Sequence, residues 1–294
     1  MSEILEKTLT VLRPILPRRF RADVPVVPVV RLTGVIGFST PLRPGLTLAS
    51  VAKPLDRAFA WPRARAVALL INSPGGSAVQ SHLIFQRIRQ LSAEKKVPVV
   101  AFVEDVAASG GYMIACAADE IFADPSSIVG SIGVIGATFG FDKLIEKIGI
   151  ERRIYTSGVN KAMLDPFLPE NPDHVARLKA IQEDIHGTFI SLVKSRRGAK
   201  LKNAEEDLFT GEYWAALKGR ELGLVDRIGD MRSTLRERYG EKVETPLVAP
   251  KTSLFGRTTP GVAGRFDALL DPPGLADEVI SSLEARAIWA RYGL

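Results

Sequence analysis

Two short apolar runs, at 66–71 and 97–103, stand out along the chain, and a glycine-rich turn follows each of them. Because these runs lack the alternation of a half-buried strand, they predict strands that are buried on both faces. Stretches with helical spacing alternate with such runs, among them a long one at 173–197. Strands that alternate with helices predict an α/β fold of stacked βαβ units, with right-handed crossovers and a largely parallel sheet.

The same patterns predict the other elements of the chain. The helix after the first glycine-rich turn is predicted to face inward through Val79, Leu83, Ile84, Ile88 and Leu91. The remaining predicted elements are a strand at 24–38, a helix at 46–60, a short strand at 121–122, a helix at 139–148, a strand at 151–156, a helix, short strand and helix within 207–240, and a last helix at 275–291.

These elements divide the chain into three predicted parts. Residues 25–243 hold the strands and glycine-rich turns and are predicted to form one α/β domain. Residues 244–294 begin with a connector rich in proline and glycine and end in the last helix, which is predicted to serve oligomer contact. Residues 1–24 form a basic amphipathic segment, which packs on the domain or on a sister subunit, or else lies on a membrane surface.

The segment 1–24 does not have the pattern of a secretory signal, because it carries Glu3 and Glu6 and its apolar residues are spaced rather than continuous. No apolar run along the chain reaches the ~18–20 residues that span a bilayer. The expected location is therefore the cytoplasm or the periphery of the inner membrane.

The composition narrows the function classes. The chain has 294 residues, of which 46% are hydrophobic and 24% charged, as in folded globular proteins. Its net charge of +6 is spread out, without a basic stripe interleaved with aromatic residues, so nucleic-acid binding is not expected. The single cysteine, Cys116, excludes an internal disulfide and a cysteine-rich metal site. We expect no metal and no other cofactor.

Two glycine-rich turns are the candidates for chemistry. Asn72-Ser73-Pro74-Gly75-Gly76 ends the first buried strand, and Ala107-Ala108-Ser109-Gly110-Gly111 follows the second. Open α/β sheets bind ligands at the carboxyl ends of their strands, and each turn opens a helix whose first N–H groups are unpaired. The two turns can therefore aim backbone donors at one oxyanion, as acyl transfer requires. The residues alone leave open that the glycines only make tight turns and that Ser109 only caps a helix.

A nucleophilic serine needs a base. His82, His174 and His186 are interpreted as ordinary surface or core residues, since none lies near Ser109 in sequence. A lysine can act as base where burial lowers its pKa from about 10.4 toward neutrality. Lys161, just after the segment 151–156, is the candidate, although a lysine in a loop is usually solvated.

Three sequence blocks carry a family resemblance. They are NSPGG, ASGGYMIACAADEIFADPSSIVGSIGVIG and YTSGVNKAMLDPF, and GEYWAALKGRELGLVDRIG near 211–229 adds a fourth. In this order they resemble the signal peptide peptidase A family, peptidase family S49, in its short single-repeat form. The resemblance covers about 26–240 and implies a crotonase/ClpP-like fold.

The resemblance also implies roles for particular residues. Ser109 corresponds to the nucleophile and Lys161 to the general base of a Ser-Lys dyad. The backbone N–H groups of Gly75 and Gly110 correspond to the oxyanion donors, and Ser131 to a serine that orients the lysine. The short form implies one dyad per subunit, with neighbouring subunits completing the wall of the site, and so a homo-oligomer, tetrameric or octameric. Many members carry an N-terminal transmembrane anchor, which is not visible in this sequence.

The resulting hypothesis is a serine endopeptidase that cleaves hydrophobic or unfolded peptides, such as signal-peptide remnants. Three alternatives stay open. A ClpP-like protease would place a histidine about 25 residues after the serine, where this chain has Ile128 to Gly136 without one. A crotonase-type acyl-CoA enzyme would use acidic residues near the oxyanion site. The third alternative is an inactive oligomeric scaffold of the same fold that binds peptides or a membrane surface.

Overall fold

A single twisted sheet organises the protein. The computed structural model describes residues 24–37, 45–202, 205–249 and 282–294. In this part of the chain the sheet has seven strands, five of them in the order β1-β2-β3-β4-β7 with every neighbouring pair parallel. The strands are β1 (Val29–Thr33), β2 (Val67–Ser73), β3 (Val99–Ala108), β4 (Glu120–Ala123), β5 (Ile128–Gly130), β6 (Tyr213–Ala215) and β7 (Arg227–Ile228). The predicted class, α/β with a largely parallel sheet, is confirmed.

Helices cover the sheet. They are α1 (Leu48–Phe59), α2 (Ala78–Lys95), α3 (Gly110–Ala115), α4 (Asp142–Lys147), α5 (Pro172–Arg197), α6 (Glu205–Leu208), α7 (Ala216–Glu221), α8 (Met231–Tyr239) and α9 (282–290), with a short 3-10 turn at Gly198–Lys200 after α5. None of the helices in the described ranges is long and apolar enough to cross a membrane.

Apolar side chains of β2 alternate between two cores. Val67, Leu69 and Ile71 point into the larger core, where they meet helices α1, α2, α3 and α5. Ala68 belongs to the smaller core on the opposite face, together with Leu235 of α8. Because both faces of the strand are covered, its sequence is apolar at successive positions, as predicted for a buried parallel strand.

Two short strands form a branch of the sheet. β5 runs parallel to β3 and β6 runs antiparallel to β5, on a short branch off the main sheet. Each has only three residues. A period-two pattern needs about four residues to be recognised, and β5 was not predicted. The segment 207–240 was predicted to hold one short strand between two helices, and it holds two, β6 and β7.

Several predicted elements need correction. The strand predicted at 151–156 is wrong, because this segment pairs with no strand in the described chain and is almost entirely exposed. Val79 and Leu83 do not face inward: they are 66% and 36% exposed, because α2 turns the row of Ser81, Ile84, Ile88 and Leu91 toward the sheet.

The predicted helix at 139–148 is shorter than expected and spans Asp142–Lys147. The last helix is described from 282 onward, so the remainder of its predicted span at 275–281 lies outside the described residues. The predicted amphipathic segment at 1–24 also lies outside them, except for Val24. The division of the chain into three parts stays a prediction.

Candidate active site

Ser109 sits at the sharp turn between β3 and α3 in a strained backbone conformation. Its φ of 51° and ψ of −121° lie in a region that side chains other than glycine rarely adopt. Its side chain makes no capping hydrogen bond, so the alternative that Ser109 only caps the helix does not describe this geometry. A strained serine on a strand-to-helix turn is the arrangement that presents a nucleophile outward from a sheet.

The two glycine-rich turns meet, as expected from their strand ends. The β2–β3 register places Ser73 opposite Ala107, so the residues that follow lie side by side. A Cβ built on Gly75 would lie 2.8 Å from the Cβ of Ser109 and 2.9 Å from the backbone nitrogen of Gly110. Gly75 also has a φ of +99°. Both its conformation and its closeness to the serine turn therefore require glycine.

The predicted oxyanion donors differ in their present partners. The N–H of Gly110 opens helix α3 and has no acceptor among the described residues. The N–H of Gly75 donates to Ser73 Oγ over a long 3.3 Å, while the Ser73 hydroxyl donates to the Gly34 carbonyl at 2.7 Å. The N–H of Gly110 is thus without an acceptor in the described chain, whereas that of Gly75 makes a long hydrogen bond within its own turn. Their role in holding an oxyanion stays a prediction.

Ser131 lies beside the serine turn because of strand register. β3 and β5 are parallel neighbours with Ala108 opposite Gly130, so Ser109 and Ser131 each follow one member of this pair. The Ser109 N–H donates to the Gly130 carbonyl at 2.8 Å and fixes this neighbourhood. Ser131 is a second serine with positive φ, 53°. Its position next to Ser109 fits the orienting role implied by the resemblance, which stays a prediction.

A contact at the site was not predicted from the sequence. The Tyr292 hydroxyl lies 3.2 Å from Ser131 Oγ and 3.4 Å from the Pro74 carbonyl, to either of which it can donate. Burial raises the pKa of Tyr292 above its ordinary value. Tyr292 is more than 150 residues from Ser131 along the chain, so no local pattern could have indicated the contact.

No hydrogen bond joins Lys161 to Ser109 in the described chain. It lies in an exposed turn, where its backbone N–H donates to Gly158 at 3.2 Å. In the described chain its ammonium forms no hydrogen bond or ion pair. Large apolar side chains within residues 135–159 are also exposed: Ile135, Phe139, Leu144, Ile148, Ile150, Tyr155 and Val159. The Ser-Lys dyad therefore stays a prediction.

The contacts of His186, His82 and Cys116 indicate structural roles for these residues. A ring nitrogen of His186 lies 3.0 Å from the Ile132 carbonyl and ties α5 to the segment after Ser131. His82 stacks on Phe85 within α2. Burial raises the pKa of the Cys116 thiol to about 12, so this thiol stays protonated and unreactive near neutral pH.

A buried polar network connects α3 to the loop before β7. The Tyr112 hydroxyl donates to the Leu224 carbonyl at 2.9 Å. Nearby, the fully buried Arg197 pairs with Asp226 at 2.6 Å and donates to the Gly223 carbonyl at 2.7 Å. Burial acts to raise the pKa of Asp226, but hydrogen bonds from Arg197 and Lys200 outweigh it and lower the pKa below its usual value. The Arg197–Asp226 pair thus holds the loop at 223–226, and Tyr112 binds α3 to the same loop.

In the described ranges, no group of three or more His, Cys, Asp or Glu side chains is placed to hold a metal ion.

A strained serine at a strand-to-helix turn, faced by a second glycine turn on a parallel sheet, is the arrangement that serine hydrolases use. The family model of peptidase family S49 matches residues 92–243 of the chain. A candidate protease of Synechocystis sp. is 33% identical over 220 residues, which cover 73% of this chain and 78% of that protein. The chain therefore belongs to peptidase family S49, a family of serine peptidases, and this membership confirms the predicted crotonase/ClpP-like fold class.

Other similarities involve longer proteins. The Na(+)/H(+) antiporter NhaA of Brucella abortus is 54% identical over 288 residues, 96% of this chain, yet the chain spans only 39% of that protein's length. The chloroplastic serine protease SPPA of Arabidopsis thaliana is 33% identical over 236 residues, which cover 75% of this chain and 34% of that protein. Among solved structures, the 1510-N membrane-bound stomatin-specific protease covers 78% of the chain with 20% identity and a TM-score of 0.46.

Proposed function

We propose that the chain is a serine endopeptidase in which Ser109 is the nucleophile and Lys161 the general base. The observation that carries the proposal is the strained backbone of Ser109, with Gly75 packed directly against it. Strain of this kind costs about 1–3 kcal/mol and persists mainly where function requires it. Membership of a serine peptidase family supports the same assignment.

The reaction follows from the residues at the site. Neutral Lys161 takes the proton of the Ser109 hydroxyl as Oγ attacks a peptide carbonyl, and the new oxyanion accepts hydrogen bonds from Gly75 and Gly110. The C–N bond then breaks, the lysine gives its proton to the leaving amine, and an acyl-serine remains. A water molecule loses a proton to the lysine and attacks the acyl carbonyl, which releases the second product and restores the serine.

The Gly75 donor must reorient slightly in this scheme. Its N–H now points to Ser73 Oγ at 3.3 Å, a long hydrogen bond that an oxyanion can replace with a shorter, charge-assisted one. The Gly110 N–H needs no such exchange. Ser131, next to Ser109, would orient the lysine ammonium and relay its proton.

Assembly of several copies would bring Lys161 to Ser109. Large apolar side chains that precede Lys161 in the chain are exposed, for example Phe139 at 78% and Val159 at 97%. Burying such side chains against another copy is favourable by roughly 1.5–3 kcal/mol each. We propose a homo-oligomer, tetrameric or octameric, in which this surface becomes buried and Lys161 comes within reach of the serine. Light scattering gives the assembled mass, and a monomer that cleaves peptides at full rate would contradict this step.

The proposed substrates are unfolded or hydrophobic peptides, such as remnants of signal peptides. An extended peptide would lie across the carboxyl ends of β2 and β3, where Ser109 and the two glycine turns face outward. Contact of residues 1–24 with a membrane surface would place the enzyme near such peptides.

Single replacements test the dyad. Ser109→Ala and Lys161→Ala should each lower kcat for a fluorogenic unfolded peptide on the order of 10³-fold or more. Lys147→Ala is the matched control, because Lys147 is another exposed lysine close along the chain. A serine-directed phosphonate probe, followed by mass spectrometry, should label Ser109 in the unchanged protein. Substantial activity in either dyad variant refutes the dyad, and a folded protein that neither cleaves peptides nor takes up the probe would be the inactive scaffold.

A further inference from the structure

The segment 282–294 ends against the candidate active site. Its helix α9 gives way to a turn in which the N–H of Gly293 donates to Ala290 at 3.1 Å and Gly293 has a φ of 75°. This turn directs the Tyr292 side chain toward Ser131 and Pro74. The rest of the segment has little cover, since Leu283 is 60% and Leu294 51% exposed. Tyr292 and the neighbouring Arg291 therefore make the described contacts of the segment with the site.

Tyr213 also contacts the segment 282–294. Its hydroxyl donates to the Arg291 carbonyl at 3.0 Å, and its ring meets that of Tyr292 edge-on with centroids 5.0 Å apart. Aromatic pairs in this geometry attract beyond the effect of buried area alone. The segment is thus held by a side-chain contact and by a hydrogen bond to its backbone, in the way that a cleft holds a peptide.

Strand register shows that this contact lies at the nucleophile. Ala108 is opposite Gly130 across β3 and β5, and Gly130 is opposite Tyr213 across β5 and β6. The serine turn, Ser131 and Tyr213 therefore follow one another across the sheet at the same level. Pro74, the other neighbour of Tyr292, immediately precedes Gly75. Tyr292 consequently lies between the glycine turn that faces Ser109 and Ser131, the residue that follows β5.

We propose that residues 282–294 compete with peptide substrates for the active site, with Tyr292 occupying a subsite lined by Pro74, Ser131 and Tyr213. The same subsite accepts an aromatic side chain of the substrate, because a tyrosine or phenylalanine ring can replace that of Tyr292 against Tyr213. This inference rests on the proposed peptidase function and adds a substrate preference and an internal inhibitor to it. The segment must leave before a substrate occupies this subsite.

Competition of this kind changes the apparent affinity for substrate and leaves the chemical step alone. A site that is open only a fraction of the time binds with an apparent KM raised by the inverse of that fraction. Tyr292→Phe removes the hydroxyl but keeps the ring, and should lower KM for an unfolded peptide by about 2- to 10-fold. Tyr292→Ala removes both contacts and should lower KM further, with kcat unchanged. Leu283→Ala, an exposed position on the same helix, is the matched control and should behave as the unchanged protein.

A binding experiment tests the segment without turnover. A fluorescent peptide with the sequence of residues 286–294 is titrated into Ser109→Ala protein, with and without Tyr292→Ala, and anisotropy is recorded. The peptide should bind the double variant at least several-fold more tightly than the single variant. A matched peptide with alanine in place of its tyrosine should bind the double variant about tenfold more weakly, since it loses both the ring contact and the hydrogen bond.

The possible outcomes separate the two ideas. Unchanged KM in Tyr292→Ala, or equal binding of peptide by the single and double variants, overturns the competition while the peptidase proposal stands. A fall in kcat for Tyr292→Phe at constant KM also overturns it, because Tyr292 would then position Ser131 during catalysis. Absence of turnover in every variant refutes the proposed peptidase, and the anisotropy result still decides whether the segment occupies the subsite.

Discussion

Replacing Ser109 by glycine should abolish activity and at the same time make the fold more stable. The serine backbone lies at φ 51° and ψ −121°, a region that glycine adopts freely and that a residue with a Cβ adopts only under strain. Ser109→Ala removes the hydroxyl but keeps the Cβ and hence the strain. Because the Ser109 side chain caps no helix, the alanine variant should be within about 0.5 kcal/mol of the unchanged protein.

The size of the effect follows from two opposing contributions. The strained conformation costs about 1–3 kcal/mol for a residue with a side chain. Glycine lowers this cost but loses about 0.5–1 kcal/mol more conformational entropy on folding than alanine does. The free energy of unfolding of Ser109→Gly should therefore exceed that of Ser109→Ala by about 0.5–2 kcal/mol.

Urea denaturation at neutral pH, with unfolding followed by circular dichroism, measures this difference. The m values of the two variants should agree, so that the shift in midpoint reports stability alone. Lys96 offers a matched control far from the site, since it ends α2 in a left-handed conformation with φ 53°. Lys96→Gly should also be more stable than Lys96→Ala, but with full activity. A Ser109→Gly protein no more stable than Ser109→Ala would refute the claim that strain is stored at the nucleophile.

Two further predictions concern the surroundings of Ser109. Gly75→Ala places a Cβ 2.9 Å from the Ala108 carbonyl oxygen at a φ of +99°, so kcat should fall by about 10²-fold or more and stability by about 1–3 kcal/mol; full turnover in this variant would contradict the packing described. Asp226→Asn leaves the buried Arg197 without its counter-charge and should cost about 2–4 kcal/mol at pH 7 by urea denaturation. Because its partners lower the pKa of Asp226 in the folded protein, its contribution is complete above the unfolded pKa of about 3.9 and disappears as the pH falls through the lower folded pKa. The deficit of the variant should therefore shrink toward pH 2, and a constant deficit would contradict this linkage.

The part of the candidate site formed by the two glycine-rich turns was predictable from the sequence. β2 and β3 are buried on both faces, so their residues are apolar at successive positions and their glycine-rich ends stand out. Parallel neighbours end at the same edge of a sheet, so the sequence predicted that the two turns lie together. The positive φ of Ser109 was not predictable, because serine has no general preference for that conformation.

The part of the site that holds Tyr213 and Tyr292 was not predictable, and Ser131 was expected there only from the family resemblance. β5 and β6 are too short for their sequence to indicate which strands they pair with, although their register brings Ser131 and Tyr213 to the nucleophile. Tyr292 reaches the site through tertiary contacts with residues far away along the chain, which periodicity cannot report. The prediction of a strand at 151–156 was also wrong: its composition suits a strand, but the segment pairs with no strand of the described sheet.

The exposure of Lys161 in the single chain has a consequence for the cell that makes the protein. The serine turn is complete within the fold, whereas the lysine stands in water on an exposed turn. A serine hydroxyl without a base is a weak nucleophile. Under the proposed mechanism, a newly folded chain is therefore a latent protease, harmless to the unfolded polypeptides around the ribosome. Its hydrolytic power would begin only where copies accumulate, so that the site of assembly, rather than the site of synthesis, determines where peptides are cut.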